Sequence, residues 1–257
     1  MPGDETQKIY VWFDALNIYM TGVGFGTDEK KWKKWWPANL HIIGKDIVRF
    51  HAVYWPAILL AAGLPLPREL LVHGFITSGG RKMSKTIGNV IDPYEVIEKY
   101  GVEATRYYLL SQIPTLDDGD FTLENFEQVY QADLANGLGN LVARVAAMAW
   151  KSGGVNQLTS EPVISKKVAK YIESYSLNLA LEDIWGRIRE ADKFINERQV
   201  WTLEGSELKE ALKKLVIDIR QIAVDLKSFL PETAEKIEEQ YSEDKIQKGE
   251  ALFPRLE

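Results

Sequence analysis

Two hydrophobic rhythms divide the chain. In the first part, Ile9-Tyr10-Val11-Trp12-Phe13, Leu40-His41-Ile42-Ile43 and Leu70-Leu71-Val72-His73-Gly74-Phe75-Ile76 are continuous β-rich runs without polar alternation. Such runs predict strands buried on both faces. Between the second and third runs, an apolar stretch from about Asp46 to Ala62 predicts a helix, with Pro56 as a kink. Strand, helix and strand of these lengths predict a parallel α/β crossover. The segment Trp32-Lys33-Lys34-Trp35-Trp36-Pro37 mixes rings and ammonium groups. It is read as a surface loop that packs its tryptophans, with contact to nucleic acid as the alternative.

After Ser84 the turn chemistry becomes helical. Asp92-Pro93-Tyr94-Glu95 supplies an N-cap, a proline at the first helical position and a glutamate in the first turn, and Gly101 supplies a stop. Thr122 is a second N-cap, with Phe121 and Phe126 spaced as a hydrophobic staple. From there the apolar residues step by three or four. One set is Leu123, Phe126, Tyr130, Leu134, Leu138, Leu141, Val145 and Met148; a second runs from Leu177 through Leu181, Ile184, Ile188 and Ala191 to Ile195. A third runs from Leu208 through Leu212, Leu215, Ile219, Ile222 and Leu226 to Phe229, before Pro231. Three amphipathic helices with one stripe each must pack together, which predicts a helical bundle. The loop from Lys151 to Ser160 is read as an interhelix connection.

The chain has 257 residues, 46% of them apolar, and no cysteine. Disulfides, thiolate catalysis and cysteine-ligated zinc are excluded. His41, His51 and His73 are too few and too apolar in context for a metal cage, so no metal site is expected. Val53 to Leu66, the greasiest run, is short and broken by Pro56, Gly63 and Pro65, so no membrane span is expected. The polar, acidic beginning has no signal-peptide pattern, and a cytoplasmic protein is expected. A net charge of −6 means that any nucleic acid must be met by a local basic patch.

The most informative stretch is Gly79-Gly80-Arg81-Lys82-Met83-Ser84-Lys85-Thr86, which follows a strand. Its glycine–lysine spacing is not that of a Walker A loop. Two ammonium groups three residues apart, with a hydroxyl between them, suit neutralisation of charge on a leaving pyrophosphate; composition alone fits a solvated basic turn equally well. Lys82-Met83-Ser84-Lys85-Thr86 resembles the KMSKS signature of class I aminoacyl-tRNA synthetases, with Thr in the last place, and Gly88-Asn89-Val90-Ile91-Asp92-Pro93 follows in the family's style. The resemblance implies that Lys85 stabilises the transition state of adenylation with Lys82 assisting, and that Gly44, Asp46, Lys82, Ser84 and Lys85 bind ATP, which arrives with Mg2+.

Tyr10-Val11-Trp12-Phe13-Asp14-Ala15-Leu16 and Gly44-Lys45-Asp46-Ile47-Val48-Arg49-Phe50-His51 are similar to methionyl-tRNA synthetases. That resemblance implies a methionine pocket of Trp12, Ala15, Leu16, Tyr19, Asp46, His51 and Trp55. The chemistry agrees. A thioether favours an aromatic wall, an α-ammonium favours a carboxylate, and Asp46 lies at the C-terminal end of an expected strand, where α/β folds place ligands. Ala135 to Arg144 resembles the family's anticodon-contacting helix. Asn136, Asn140 and Arg144 recur every four residues beside the apolar stripe. Amides can read base edges and arginine can stack or bind phosphate. Trp201, preceded here by Val200 where the family has proline, stands at a second anticodon contact.

The expected organisation is thus α/β followed by all-α. Residues 1–77 form the C-terminal half of a Rossmann-type catalytic domain, 78–115 the KMSKS loop and a stem-contact helical region, and 116–257 an anticodon-binding bundle. The implied function is that of a methionine–tRNA ligase, with methionine, ATP and tRNA(Met) as partners. No His-x-Gly-His segment occurs in the sequence, and the zinc-binding connective insertion of many relatives is absent too. A fragment inactive by itself is therefore expected, completed by a separate half bearing the HIGH motif. The alternatives are one subunit of a split synthetase, or a non-catalytic tRNA- or partner-binding fragment.

Overall fold

A computed structural model describes residues 3–8, 10–155, 162–242 and 246–256. These form two compact units, Met1–Phe75 and Ile76–Glu257.

In the first unit, helices α1 (Val11–Ala15), α2 (Ile18–Thr21) and α3 (Glu29–Trp35) precede strand β1 (Leu40–Gly44). A 3-10 turn (Lys45–Ile47), a π-helical turn (Phe50–Tyr54) and α4 (Trp55–Ala61) then lead to β2 (Glu69–His73). Strands β1 and β2 pair in parallel, Leu40 with Glu69 through Gly44 with His73, so the crossover forms as its pattern predicts. Pro56 has no N–H to donate, and the helical ladder changes register in the π-helical turn just before it.

Three expectations are corrected here. Residues 11–13 are helical rather than extended, and Ile9 lies outside the described residues. A short apolar run is ambiguous until a partner strand exists, and β1 pairs only with β2 among the described residues. As a helix, the run instead stacks Trp12 on Phe50, ring centroids 4.1 Å apart. The strands are not buried on both faces: His41 and Ile43 are buried, but Ile42 is 65% exposed and β2 has no buried residue. Finally, the basic-aromatic segment is the helix α3, not a loop. Asp28 caps it by accepting from the Lys31 N–H, and Trp32 stacks on the buried Trp36 while Trp35 stays exposed.

The second unit opens with a small sheet. Strand β3 (Ile76–Ser78) turns through Gly79 and Gly80 into β4 (Arg81–Lys82) and pairs in parallel with β5 (Gly119–Asp120). Both glycines have left-handed φ, 62° and 70°, which a tight reversal requires and L-residues resist. Between β4 and β5 lie α5 (Pro93–Tyr100) and α6 (Val102–Ser111), joined at Gly101 with φ 89°. Both N-caps read from the sequence form: Asp92 accepts from the Tyr94 N–H at 2.9 Å and Thr122 from the Asn125 N–H at 3.2 Å.

The bundle that follows has the three long helices. The first runs over 123–151 as α7 (Leu123–Val129), a π-helical segment (Tyr130–Gly139) and α8 (Asn140–Lys151). Its apolar steps from Phe126 through Tyr130 and Leu134 to Leu138 are all fours. On an ideal α-helix each such step drifts about 40°, so the stripe would turn about 120° away from the core. The wider π-helical turns remove that drift, and Phe126, Tyr130, Leu134 and Leu138 are all buried. After α9 (Lys166–Glu173) come α10 (Leu177–Glu197), α11 (Gly205–Leu226) and α12 (Pro231–Gln240). The connection expected over 151–160 falls largely on residues outside those described. A single core joins α5 and α6 to the bundle, from Val96 and Tyr107 through Leu138 and Ile184 to Ile219 and Phe253. No helix among the described residues is long and apolar enough to cross a membrane.

Candidate functional site

Two clusters and one loop hold most of the residues singled out in the sequence. In the first unit, the helix after β1 carries His51 and Trp55 on one side, four residues apart, and α1 and α2 bring Trp12, Leu16 and Tyr19 against them. Trp55 and Leu16 are each 1% exposed and His51 is buried, while Trp12 and Tyr19 are half-buried. His51 Nδ1 lies 3.0 Å from the Ile47 carbonyl, which only accepts, so the ring donates there and its Nε2 accepts from the Tyr19 hydroxyl at 2.8 Å. Trp12 meets the edge of His51 at 6.1 Å, and Tyr19 lies 6.1 Å from Trp55. Burial raises the Tyr19 phenol above its ordinary value, so it stays a donor. The Trp55 indole N–H is buried with no hydrogen-bond partner among the described residues. Ala15 and Asp46 are exposed and stand outside this buried cluster. Asp46 is in the 3-10 turn at the C-terminal end of β1, as its sequence position implied. At Gly44 an added Cβ would come within 2.9 Å of Asp46 Oδ1, so a larger residue there would displace the Asp46 carboxylate.

His41, on β1, underlies the same cluster and was not singled out by the sequence beyond its metal potential. Its ring meets Tyr19 at 4.5 Å and Trp36 at 6.3 Å. Burial, and then the neighbouring His51, hold it below the usual 6.5. Unfolding returns it to that value, so its contribution to stability is full above about pH 6.5 and is lost as pH falls from there through the lowered value. Urea midpoints read by tryptophan fluorescence are expected to fall between pH 7.5 and 5.5, and less steeply in His41→Phe. An identical pH slope in the variant would remove this assignment.

The lysine loop belongs to the second unit. Lys82 ends β4, and Lys85 is exposed in the turn beyond it. The structure adds two residues that the sequence reading did not single out individually. The Asn89 side chain accepts from the Ser84 N–H at 2.9 Å and donates to the Lys82 carbonyl at 3.2 Å and the Ser78 carbonyl at 3.4 Å, tying both ends of the loop together. Asp120 accepts from the Thr77 hydroxyl at 2.6 Å and the Gly80 N–H at 2.8 Å, bonds that hold its carboxyl below the ordinary range. Asn89 follows the turn over 85–88, and an Asn after its closing Gly88 is a signal for such a role. Asp120 lies forty residues from its partner, and no local signal exists for it.

On the bundle, Asn136 and Asn140 are exposed on the helix over 123–151, and Arg144 follows one turn later. Arg144 Nη2 donates to Asn196 Oδ1 on α10 at 2.9 Å, and its guanidinium lies over the Trp201 ring at 5.1 Å. Trp201 is 54% exposed because its neighbour Val200, fully buried, anchors the 3-10 turn Val200–Thr202. A buried Val200 thus fixes the turn without proline. Arg144 and Trp201 are therefore in contact, with two amides in line behind them. Among the described residues no three His, Asp or Glu side chains gather as metal ligands.

A family model described as tRNA synthetases class I (M) matches residues 1–146. The methionine–tRNA ligase of Clostridium acetobutylicum is 40% identical over 290 aligned residues, taking in 99% of this chain and 45% of that protein. Methionine–tRNA ligase 1 of Bacillus cereus is 38% identical, taking in 100% of this chain and 45% of that protein. Among solved structures, Mycobacterium tuberculosis methionyl-tRNA synthetase in complex with methionyl-adenylate superposes with a TM-score of 0.79 at 37% identity, over 90% of this chain and 50% of that one. Its apo form gives 0.80 at 32% identity, over 97% and 56%. The chain spans about half the length of the proteins it matches. A family match over more than half of the sequence, with structural likeness running through both units, makes this chain a member of the class I tRNA synthetases of the methionyl type.

Proposed function

We propose that this chain supplies the methionine bed, the phosphate-facing lysines and the anticodon reader of a methionine–tRNA ligase, whose remaining half holds ATP from the other side. The reaction joins methionine to ATP, as its magnesium complex, with release of pyrophosphate, and then passes the acyl group to the terminal adenosine of tRNA(Met). In this reading the aromatic cluster of Trp12, Tyr19, His51 and Trp55, with Leu16 and Ala15, receives the thioether. The unsatisfied indole N–H of Trp55 supports it, since a buried donor without an acceptor is costly and sulfur is a weak acceptor. Asp46 pairs with the α-ammonium, and Gly44 leaves room for backbone approach to the ribose. Lys82, Ser84 and Lys85 meet the phosphates, with Asn89 and Asp120 holding the loop in shape.

The observation that carries the tRNA part is the Arg144–Trp201 contact at the end of the Asn136–Asn140 stripe. An exposed indole and an arginine offer stacking surfaces to unstacked bases, and the two amides offer base-edge hydrogen bonds. The second unit carries its own buried core, which also favours the second reading, a fragment that binds tRNA without catalysing. Both readings meet one test. The chain is expected to bind a tRNA with a CAU anticodon in preference to one with a changed anticodon, and more weakly as salt rises. Trp201→Ala is expected to cost about 1–3 kcal/mol of that affinity, and Asn140→Ala to narrow the preference. Titrations of the three proteins against both tRNAs decide it, and equal wild-type affinities would leave the bundle a generic scaffold.

A further inference from the structure

Asp192 lies one helical turn before Asn196 on α10, on the side that meets Arg144. Its Oδ1 is buried and has no hydrogen-bond donor among the described residues. Burial raises its carboxyl above the ordinary range, and the Arg144 charge acts against that rise. A buried carboxylate oxygen without a donor is among the costlier features a fold can keep. The nearby guanidinium has donors to spare, yet one of them goes to the neutral amide of Asn196 and its face goes to Trp201. The arginine therefore meets three groups of different kinds: an amide at one edge, an indole ring against its face, and the charge of a carboxylate one turn back on α10 whose Oδ1 has no donor among the described residues.

We infer that Asp192 is a positioning residue for Arg144. It draws the guanidinium back onto α10 by charge alone, and so presents it flat on the indole in the pose that an incoming base meets. A hydrogen-bonded carboxylate would capture the guanidinium in a fork and remove it from Trp201. A neutral residue at 192 leaves the long side chain free to follow the nearest phosphate, which exists in every tRNA. The role of Asp192 is thus in base discrimination rather than in general RNA affinity. This inference rests on the bundle's reading of the anticodon.

The test is a double-mutant cycle on the full chain with D192N, R144A and D192N/R144A, each titrated against the CAU tRNA and one with a changed anticodon. Thermal unfolding of each variant confirms that it is folded. The ratio of the two affinities cancels the general electrostatic gain from removing a negative charge. D192N is expected to lower that ratio about three- to tenfold when Arg144 is present, and less than twofold in the R144A background. An equal effect in both backgrounds, or an unchanged or higher ratio, overturns the inference while leaving anticodon reading intact. Equal affinities of the wild type for the two tRNAs overturn both.

Discussion

Lys85→Ala is expected to slow methionyl-adenylate formation by roughly 10²–10³-fold, in enzyme completed in trans with the part of its relatives that this chain does not span, while leaving methionine affinity nearly unchanged. The reason lies in when the charge is needed. Only the part of the ammonium–phosphate attraction that grows between bound ATP and the transition state changes the rate. Its value appears as the bond to pyrophosphate breaks and negative charge builds on the departing oxygens. Loss of one such donor costs about 2.7–4 kcal/mol in the transition state alone. Single-turnover adenylate formation separates the two effects, and an unchanged rate would sink the assignment of Lys85. The chain by itself is expected to show no methionine-dependent ATP–pyrophosphate exchange. Asn89→Ala offers a useful contrast: it removes no charge, and any loss of rate would come from a loop whose two ends are no longer tied together.

The second large effect is on folding. Tyr107, on α6, stacks on Trp185 of α10 at 4.2 Å and donates to Asp133 Oδ2 at 2.8 Å. Burial first, and then the Asp133 charge, push its phenol far above the ordinary value, so it donates at every working pH. The Trp185 indole N–H in turn donates to the Asp133 carbonyl at 3.3 Å. Tyr107→Ala removes a buried ring and the carboxylate's donor together, and is expected to destabilise the second unit by about 3–5 kcal/mol. Tyr107→Phe keeps the ring and should cost about 1.5–3 kcal/mol, the worth of a hydrogen bond to a charged group. Urea unfolding gives both numbers, and a loss under about 1 kcal/mol for the alanine variant would contradict the packing described. The same contacts make 76–257 rather than 116–257 the piece expected to fold by itself. A cut at 116 removes Tyr107 and also Arg106, whose Nε donates to the Phe229 carbonyl at 2.8 Å.

Much of this molecule was legible in its residue order, wherever the determining interactions are local. The helix starts at Asp92 and Thr122 follow from side chains that cap the next turn, and the three long helices follow from stripes whose period is set by backbone geometry. The crossover between β1 and β2 was legible for the same reason. So was the family, by the resemblance of the KMSKS-like and Gly-Lys-Asp segments to those of its members.

What the order of residues left open was decided between distant parts of the chain. Val11 to Phe13 has strand-like composition, but an extended run needs a neighbouring ladder, and this one found aromatic rings to stack on as a helix. The repeated steps of four from Phe126 to Leu138 were visible, yet only packing against the rest of the core made π-helical turns preferable to a drifting stripe. Asp120 and Thr77, Asn196 and Arg144, and Tyr107 and Asp133 meet across 43, 52 and 26 residues. Each residue alone is an ordinary polar side chain. Burial and geometry give the pair its meaning: a hydrogen bond or a charge counts most where water is excluded, and which groups lose their water is a property of the folded chain.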